Sequence, residues 1–227
     1  MPEGKTLTIR GTGILDAEGG LGGAGIGGGI NINCGNIVIN GGIITAKGGS
    51  CSAGIGGGQN ASCGYITMNG GVILKAEGGY NAAGIGCGDG SNASCEAITI
   101  NGGQIGGDYY QGDYVQYYYG AIAGSSAASI GCGKSSSSTC GTITIGTGIT
   151  CVVVSWHSSN TSYNCIGHYN ITRTPCDIFF GDFKAFDKAR PYWYNGIDAY
   201  NTTLPKSCGG ITIDYGAHCW ELTPDTP

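Results

Sequence analysis

A short motif that returns about every 30 residues constrains the fold of this chain more than any other feature. An apolar alternation of the type "CGxITIN" starts at seven positions, namely Gly4, Cys34, Cys63, Cys95, Cys140, Cys176 and Cys208. Successive starts are 30, 29, 32, 45, 36 and 32 residues apart. Repeats of this length build solenoids, because one unit buries its apolar face only by stacking on its neighbours.

Each repeat contains three short apolar runs separated by glycine, as in "NIVIN", "IITAK" and "AGIG". The runs alternate with the period of a β-strand, and no repeat carries a helical pattern. We therefore predict an all-β fold, a parallel β-helix (β-solenoid) of about seven turns with three short strands per turn. The glycine phrases are interpreted as tight corners of this scaffold, because the strand–loop–helix context of a phosphate loop is missing.

The repeat predicts which side chains stack inside the solenoid. One column contains Leu7, Ile37, Ile66, Ile98, Ile143, Ile178 and Ile211; the second contains Ile9, Ile39, Met68, Ile100, Ile145, Phe180 and Ile213; the third contains Ile26, Ile55, Ile85, Ile130 and Ile166. Outside the core, the repeat aligns an asparagine ladder of Asn40, Asn69 and Asn101, and a charged column of Glu18, Lys47 and Glu77.

The motifs "AGIGGG…CGxITINGGxIxAxGG" and "SIGCG…CGTITIG" resemble the glycine-rich repeats of large secreted or cell-surface proteins from anaerobic gut bacteria. The resemblance extends from residue 4 to about residue 181. It implies a right-handed β-helix that belongs to a larger secreted protein and serves adhesion or carbohydrate binding. The repeated motif is scaffold and does not identify a ligand.

The composition of the chain narrows the range of expected binding partners. The chain has 227 residues, 47 of them glycine, and a formal net charge of -5 without basic clusters, so we expect no nucleic-acid partner. No apolar run approaches the length of a membrane span, so no membrane insertion is expected. Twelve cysteines favour an oxidising location, extracellular or at the cell surface.

We expect a single domain over residues 1–227, with regular turns at 4–151 and degenerate, aromatic-rich turns at 152–227 that act as a cap. The regular part is broken by the segment "DYYQGDYVQYYYG" at 108–120. Clustered tyrosines on a projecting loop are typical of a recognition surface, although they could instead cover the flank of the solenoid. The tyrosines of this segment are Tyr109, Tyr110, Tyr114, Tyr117, Tyr118 and Tyr119.

The degenerate turns supply a second set of candidate binding residues. Exposed aromatic rings there would stack on sugars, and the candidates are Trp156, Tyr192, Trp193 and Tyr194. Five N-x-S/T sequons would accept glycans in a glycosylating host, and they lie at Asn60, Asn92, Asn160, Asn170 and Asn201.

Two of the longer loops contain an extra cysteine. Cys87 lies in the same loop as Cys95, and Cys132 lies in the same loop as Cys140. Three states remain open for them. Each pair could close its own loop as a disulfide, cysteines of one column could bridge adjacent turns, or the thiols could pack as small apolar residues.

Taken together, these features predict an extracellular structural or adhesive module that binds a glycan or a partner chain, with self-assembly into a fibre as one form of that binding. A polysaccharide lyase or glycoside hydrolase is the alternative, but the carboxylates are scattered and we expect no enzyme, metal or cofactor. Ice binding is a minor alternative, because the outward threonine column is interrupted.

Overall fold

A computed structural model describes residues 2–106, 108–111, 114–117, 119–135, 137–156, 166–167, 178–180 and 220–222. Every regular element within these residues is a β-strand. The first three repeats contribute β1 (Thr6–Ile9), β2 (Ile14–Glu18), β3 (Ile26–Gly27), β4 (Asn36–Ile39), β5 (Ile43–Lys47), β6 (Ile55–Gly56), β7 (Cys63–Met68), β8 (Val72–Glu77) and β9 (Ile85–Gly86).

Later repeats contain longer strands, because some of them continue around a corner of the solenoid. These elements are β10 (Ser94–Ile105), β11 (Asp108–Gln111), β12 (Tyr114–Tyr117), β13 (Gly120–Ala123), β14 (Ile130–Gly131), β15 (Thr139–Cys140), β16 (Ile143–Trp156), β17 (Ile166–Gly167), β18 (Ile178–Phe180) and β19 (Trp220–Leu222).

Equivalent strands of successive described repeats pair in parallel, which confirms the predicted stacking from Leu7 to Ile178. Leu7 is in register with Ile37 but is 37% exposed, not enclosed as predicted, because it packs on one neighbouring turn only in the described structure. Ile211 and Ile213 lie outside the described residues. The first strands of the turns follow the order β1, β4, β7, β10, β16, and β18 pairs with β16. Ile37 lies beside Ile66, and Ile98 lies between Ile66 and Ile143. The second column is in register too, since Met68 pairs with both Ile39 and Ile100.

The third face forms a separate five-stranded parallel sheet of β3, β6, β9, β14 and β17. Its isoleucine column, predicted from the sequence, is present from Ile26 to Ile166. The glycine that follows each isoleucine has a φ between +106° and +143°, as at Gly86. A Cβ on Gly86 would meet the carbonyl oxygen of Gly131, so both conformation and space require glycine at this corner.

The three isoleucine columns meet in one apolar core. Ile37, Ile55, Ile98, Ile130 and Ile143 are fully buried. Polar ladders follow the outside, and Asn69 donates to Oδ1 of Asn40 and accepts from Nδ2 of Asn101 at 2.9 Å each. The asparagine ladder predicted from the repeat is therefore formed.

The charged column is aligned as predicted, and Lys75 adds a second ion pair to it. Glu18 and Lys47 form an ion pair with 2.7 Å between Oε1 and Nζ, and both side chains are exposed. Glu77 lies in register with Lys47 but pairs with Lys75 of its own strand. Leu74 is an extra residue in β8, and Lys75 therefore lies opposite Thr45 of the preceding turn.

Candidate functional site

The tyrosine segment interrupts the solenoid sheet between Ile105 and Gly120. Ile105 pairs with Ile73, and Gly120 pairs with Lys75 of the preceding turn. Residues 106–119, which we call the insertion, therefore stand opposite Leu74 alone. The insertion begins two residues before the segment 108–120 that the sequence marked, and Gly120 belongs to the sheet.

Leu74 is itself an extra residue in its strand. Ile44 pairs with Ile73, but the next residue, Thr45, pairs with Lys75, so the register shifts at this point. The burial along β8 changes accordingly, because Ile73 and Ala76 are buried and the two residues between them are only half-buried. A β-bulge bends its strand and re-aims the neighbouring side chains. The insertion thus occupies, one turn later, a place where the sheet already accommodates an additional residue.

Two glycines mark where the chain leaves and rejoins the sheet. Gly106 has a φ of +66° and Gly120 has a φ of +61°, a left-handed conformation that glycine adopts without strain. The N–H of Gly106 donates to the Ile73 carbonyl at 2.8 Å, and Nε2 of Gln104 donates to the Gly106 carbonyl at 2.7 Å. These contacts hold the base of the insertion against the scaffold.

Above this base, the insertion forms an antiparallel hairpin of β11 and β12. Tyr110 pairs with Val115, and Tyr117 pairs with Asp108. Among the described strands, the hairpin forms its own two-stranded sheet, separate from the sheets of the solenoid. Of the predicted residues, Tyr109 and Tyr110 lie in β11 and Tyr114 and Tyr117 lie in β12, whereas Tyr118 lies outside the described residues.

Tyr119 shows how the hairpin meets the scaffold. Its side chain is 47% exposed, and Nζ of Lys75 lies 5.0 Å from the centroid of its ring. The same ammonium group pairs with the Glu77 carboxylate. The site therefore combines an exposed aromatic ring, a cation on that ring and an anion beside the cation. Such a set of groups can stack on an apolar ligand face and exchange hydrogen bonds with hydroxyl groups.

Sequence reasoning did not identify Lys75, Glu77, Gln104 or Leu74 as parts of this site. A signal for the bulge was present, because "VILKAE" is one residue longer than the equivalent "IITAK". The contact between Lys75 and Tyr119 joins neighbouring turns and had no signal in the repeat.

The other predicted aromatic site is described only in part. Trp156 is the last residue of β16, where it pairs with Ala123. Tyr192, Trp193 and Tyr194 lie outside the described residues, so the second candidate surface stays a prediction.

Two of the five sequons lie in the described part of the chain. The Nδ2 atom of Asn60, which glycosylation would modify, donates to Oδ1 of Asn31 at 2.8 Å, whereas Asn92 is exposed. A glycan on Asn60 would break this ladder contact, so Asn92 is the more accessible acceptor. Asn160, Asn170 and Asn201 lie outside the described residues.

Seven cysteines of the described part of the chain are thiols, and six of them lie buried in two neighbouring columns. Cys63 pairs with Cys34 and with Cys95, and Cys95 pairs also with Cys140. The second column holds Cys87 and Cys132, each directly after a paired glycine of the third face. The loop pairings Cys87–Cys95 and Cys132–Cys140 are not formed in this structure.

No group of three or more His, Cys, Asp or Glu among the described residues is placed to hold a metal ion. No helix in the described part of the chain is long and apolar enough to cross a membrane.

Comparison with known proteins supports the repeat architecture. A family model described as "Beta helix repeat" matches residues 7–30, 37–59 and 66–89. The three matches begin at Leu7, Ile37 and Ile66, which are neighbours in one core column. No curated protein and no solved structure gives a match. The chain therefore contains a β-helix repeat region, and its turns stack in the register that the structure shows.

Proposed function

We propose that this β-helix repeat protein is an extracellular adhesive module and that its tyrosine hairpin binds a glycan. The observation that carries the proposal is the insertion itself. The rigid scaffold repeats one strand pattern turn after turn, and at a bulge it replaces a single residue by a tyrosine-rich hairpin. Recognition residues carried on a loop by a rigid scaffold are a common arrangement in binding proteins.

The chemistry around Tyr119 favours a sugar as the ligand. An exposed tyrosine ring offers an apolar face to the C–H groups of a sugar ring, and its hydroxyl group forms hydrogen bonds at the edge. Lys75 and Glu77 lie beside the ring and can donate to and accept from sugar hydroxyls.

One carboxylate of this face, that of Glu18, is in an environment that does not suit the general acid of a hydrolase. A glycosidase needs two carboxyl groups, one of them a general acid with a raised pKa. Glu18 and Glu77 are both held in ion pairs, and the hydrogen bond and charge of Lys47 lower the pKa of Glu18. That shift is opposite to the one that a general acid requires.

The glycan proposal is tested by removing the insertion at the register that the structure provides. Replacing residues 106–119 with one leucine gives Ile105–Leu–Gly120, which has the same number of residues as Ile73–Leu74–Lys75 of the preceding turn, and should preserve the scaffold. The variant and the parent chain are compared on an array of plant, mucin and bacterial glycans, and hits are measured by surface plasmon resonance. We expect the parent to bind and the variant to lose at least tenfold in affinity.

A second variant separates the tyrosines from the hairpin backbone. It keeps the length of the insertion but changes Tyr109, Tyr110, Tyr114, Tyr117, Tyr118 and Tyr119 to serine. Equal glycan binding by this variant and the parent would refute the proposal. Loss of folding in both variants, with no glycan bound by the parent, would assign the tyrosines to covering the solenoid.

A further inference from the structure

We propose that the buried cysteines form three disulfides between neighbouring turns when the chain folds under oxidising conditions. The bonds are Cys34–Cys63, Cys87–Cys132 and Cys95–Cys140. This inference concerns covalent closure of the scaffold and does not depend on the ligand of the tyrosine hairpin.

The column geometry brings the sulfur atoms of successive turns together. Neighbouring strands lie about 4.8 Å apart, which falls within the Cα separation of about 4.4–6.8 Å that disulfides tolerate. Cys34, Cys63, Cys95 and Cys140 follow one another as direct parallel partners. All four are 7% exposed or less.

The second column lies against the first. Cys87 and Cys132 are fully buried and follow Gly86 and Gly131, which pair with each other. Sγ of Cys87 donates to the carbonyl oxygen of Thr139 at 3.4 Å, so it reaches the residue directly before Cys140. Six thiols thus form one contiguous buried group.

The contacts within the group determine which pairs form. Cys34 ends its column, and the thiol that hydrogen-bonds to it is that of Cys63. The thiol of Cys95 hydrogen-bonds to those of Cys63 and Cys140. Once Cys63 is bonded to Cys34, Cys140 is the partner left for Cys95. Cys87 hydrogen-bonds to the thiols of Cys132 and Cys140, and with Cys140 used it pairs with Cys132. This assignment uses all six sulfurs, and every bond joins residues at equivalent positions of successive turns.

Oxidation requires an acceptor for two electrons per bond, which a small disulfide such as oxidised glutathione supplies. One cysteine thiolate attacks the glutathione disulfide, forms a mixed disulfide and releases one glutathione thiolate. The partner thiolate then attacks the protein sulfur and releases the second glutathione thiolate. One S–S bond forms in the protein, one S–S bond breaks in the oxidant, and the two cysteine protons pass to the released thiolates.

Burial of the six sulfur atoms determines the stage of folding at which these disulfides form. The six sulfurs are enclosed once the turns have stacked, so exchange takes place while the chain coils or during local opening of the turns.

The test is a peptide map of the full chain after refolding in oxidised and reduced glutathione. Unreacted thiols are alkylated, and the protein is digested without reduction by trypsin and an Asp-specific protease. Cleavage after Lys47, Lys75 and Lys134 and before Asp89 and Asp108 puts the six cysteines on six separate peptides. Cys51 shares the peptide of Cys63, and Cys151 and Cys165 share the peptide of Cys140, so fragmentation of the linked peptides by mass spectrometry identifies the bonded cysteine. We expect linked peptides for the three proposed bonds.

Thermal unfolding provides a second measurement that does not rely on the map. We expect a midpoint about 5 °C or more higher in the oxidised than in the reduced chain. The difference should decrease in each paired variant, such as Cys95→Ala with Cys140→Ala, because alanine keeps the position small and apolar. Cys87–Cys95 or Cys63–Cys95 links would overturn the assignment. Alkylation of all six cysteines of the proposed bonds after oxidative refolding would overturn it as well. The peptide map uses the parent chain, so this outcome can be read even if a paired variant fails to fold.

Discussion

Ile98 and Thr99 are adjacent in β10 but lie on opposite sides of the strand. Ile98 is fully buried between Ile66 and Ile143, whereas Thr99 is half-buried on the outside between Thr67 and Thr144. The alternation of burial along β10 follows the period of two that the sequence predicts. The assignment of faces therefore has a direct experimental consequence.

The first prediction compares an aspartate at these two positions. Ile98→Asp puts an unpaired charge into the central core column and should reduce the free energy of unfolding by more than about 4 kcal/mol. Thr99→Asp should change it by less than about 1 kcal/mol. Urea unfolding followed by circular dichroism measures both. Equal destabilisation by the two variants would show that the register is wrong.

The second prediction concerns the asparagine ladder. Asn69→Ala removes two amide hydrogen bonds, one to Asn40 and one from Asn101, and should cost about 1–2 kcal/mol of unfolding free energy. Asn40→Ala removes one of these bonds and should cost about half as much. The ratio is measured by urea unfolding of both variants. A cost at Asn40 that equals or exceeds the cost at Asn69 would contradict the ladder.

The third prediction tests the corner glycines. Gly86→Ala should destabilise the fold by about 2 kcal/mol or more, because its φ of +133° is strained for alanine and the Cβ would meet the Gly131 carbonyl. Gly20→Ala is the matched control, since a Cβ at Gly20 meets nothing within 4 Å. Thermal unfolding should separate the two variants clearly. Similar midpoints would indicate that the corner tolerates a side chain.

The fourth prediction addresses the cation beside the tyrosine ring. Lys75→Met removes the ammonium group from Tyr119 and from Glu77, and should weaken binding of the glycan identified on the array by about three- to tenfold. Lys47→Met is the control, because Lys47 forms an exposed ion pair with Glu18. Unfolding free energies of both variants should stay within about 1 kcal/mol of the parent. Equal affinity in the two variants would remove Lys75 from the site.

Sequence alone predicted the columns, because each repeat contacts mainly its neighbours and a constant period places equivalent residues side by side. Ile55, Ile85 and Ile130, and the ladder of Asn40 and Asn69, are found where the motif places them. The same periodicity predicted that Cys63 and Cys95 would be neighbours. It did not rank the thiol contacts, because Cys87 and Cys140 lie on different strands of the turn and meet only when the core closes.

Only the tertiary structure placed the insertion. A segment that breaks the period has no equivalent in the other repeats. The spacing of the motif therefore gave the length of the insertion but not the residue at which the chain leaves the sheet. Pairing of Ile105 with Ile73 and of Gly120 with Lys75 decided that point, and both pairings are contacts between turns. The same inter-turn contacts bring Lys75 to the ring of Tyr119. The repeat thus determined the scaffold, and non-local packing at one bulge determined the arrangement of the candidate binding residues.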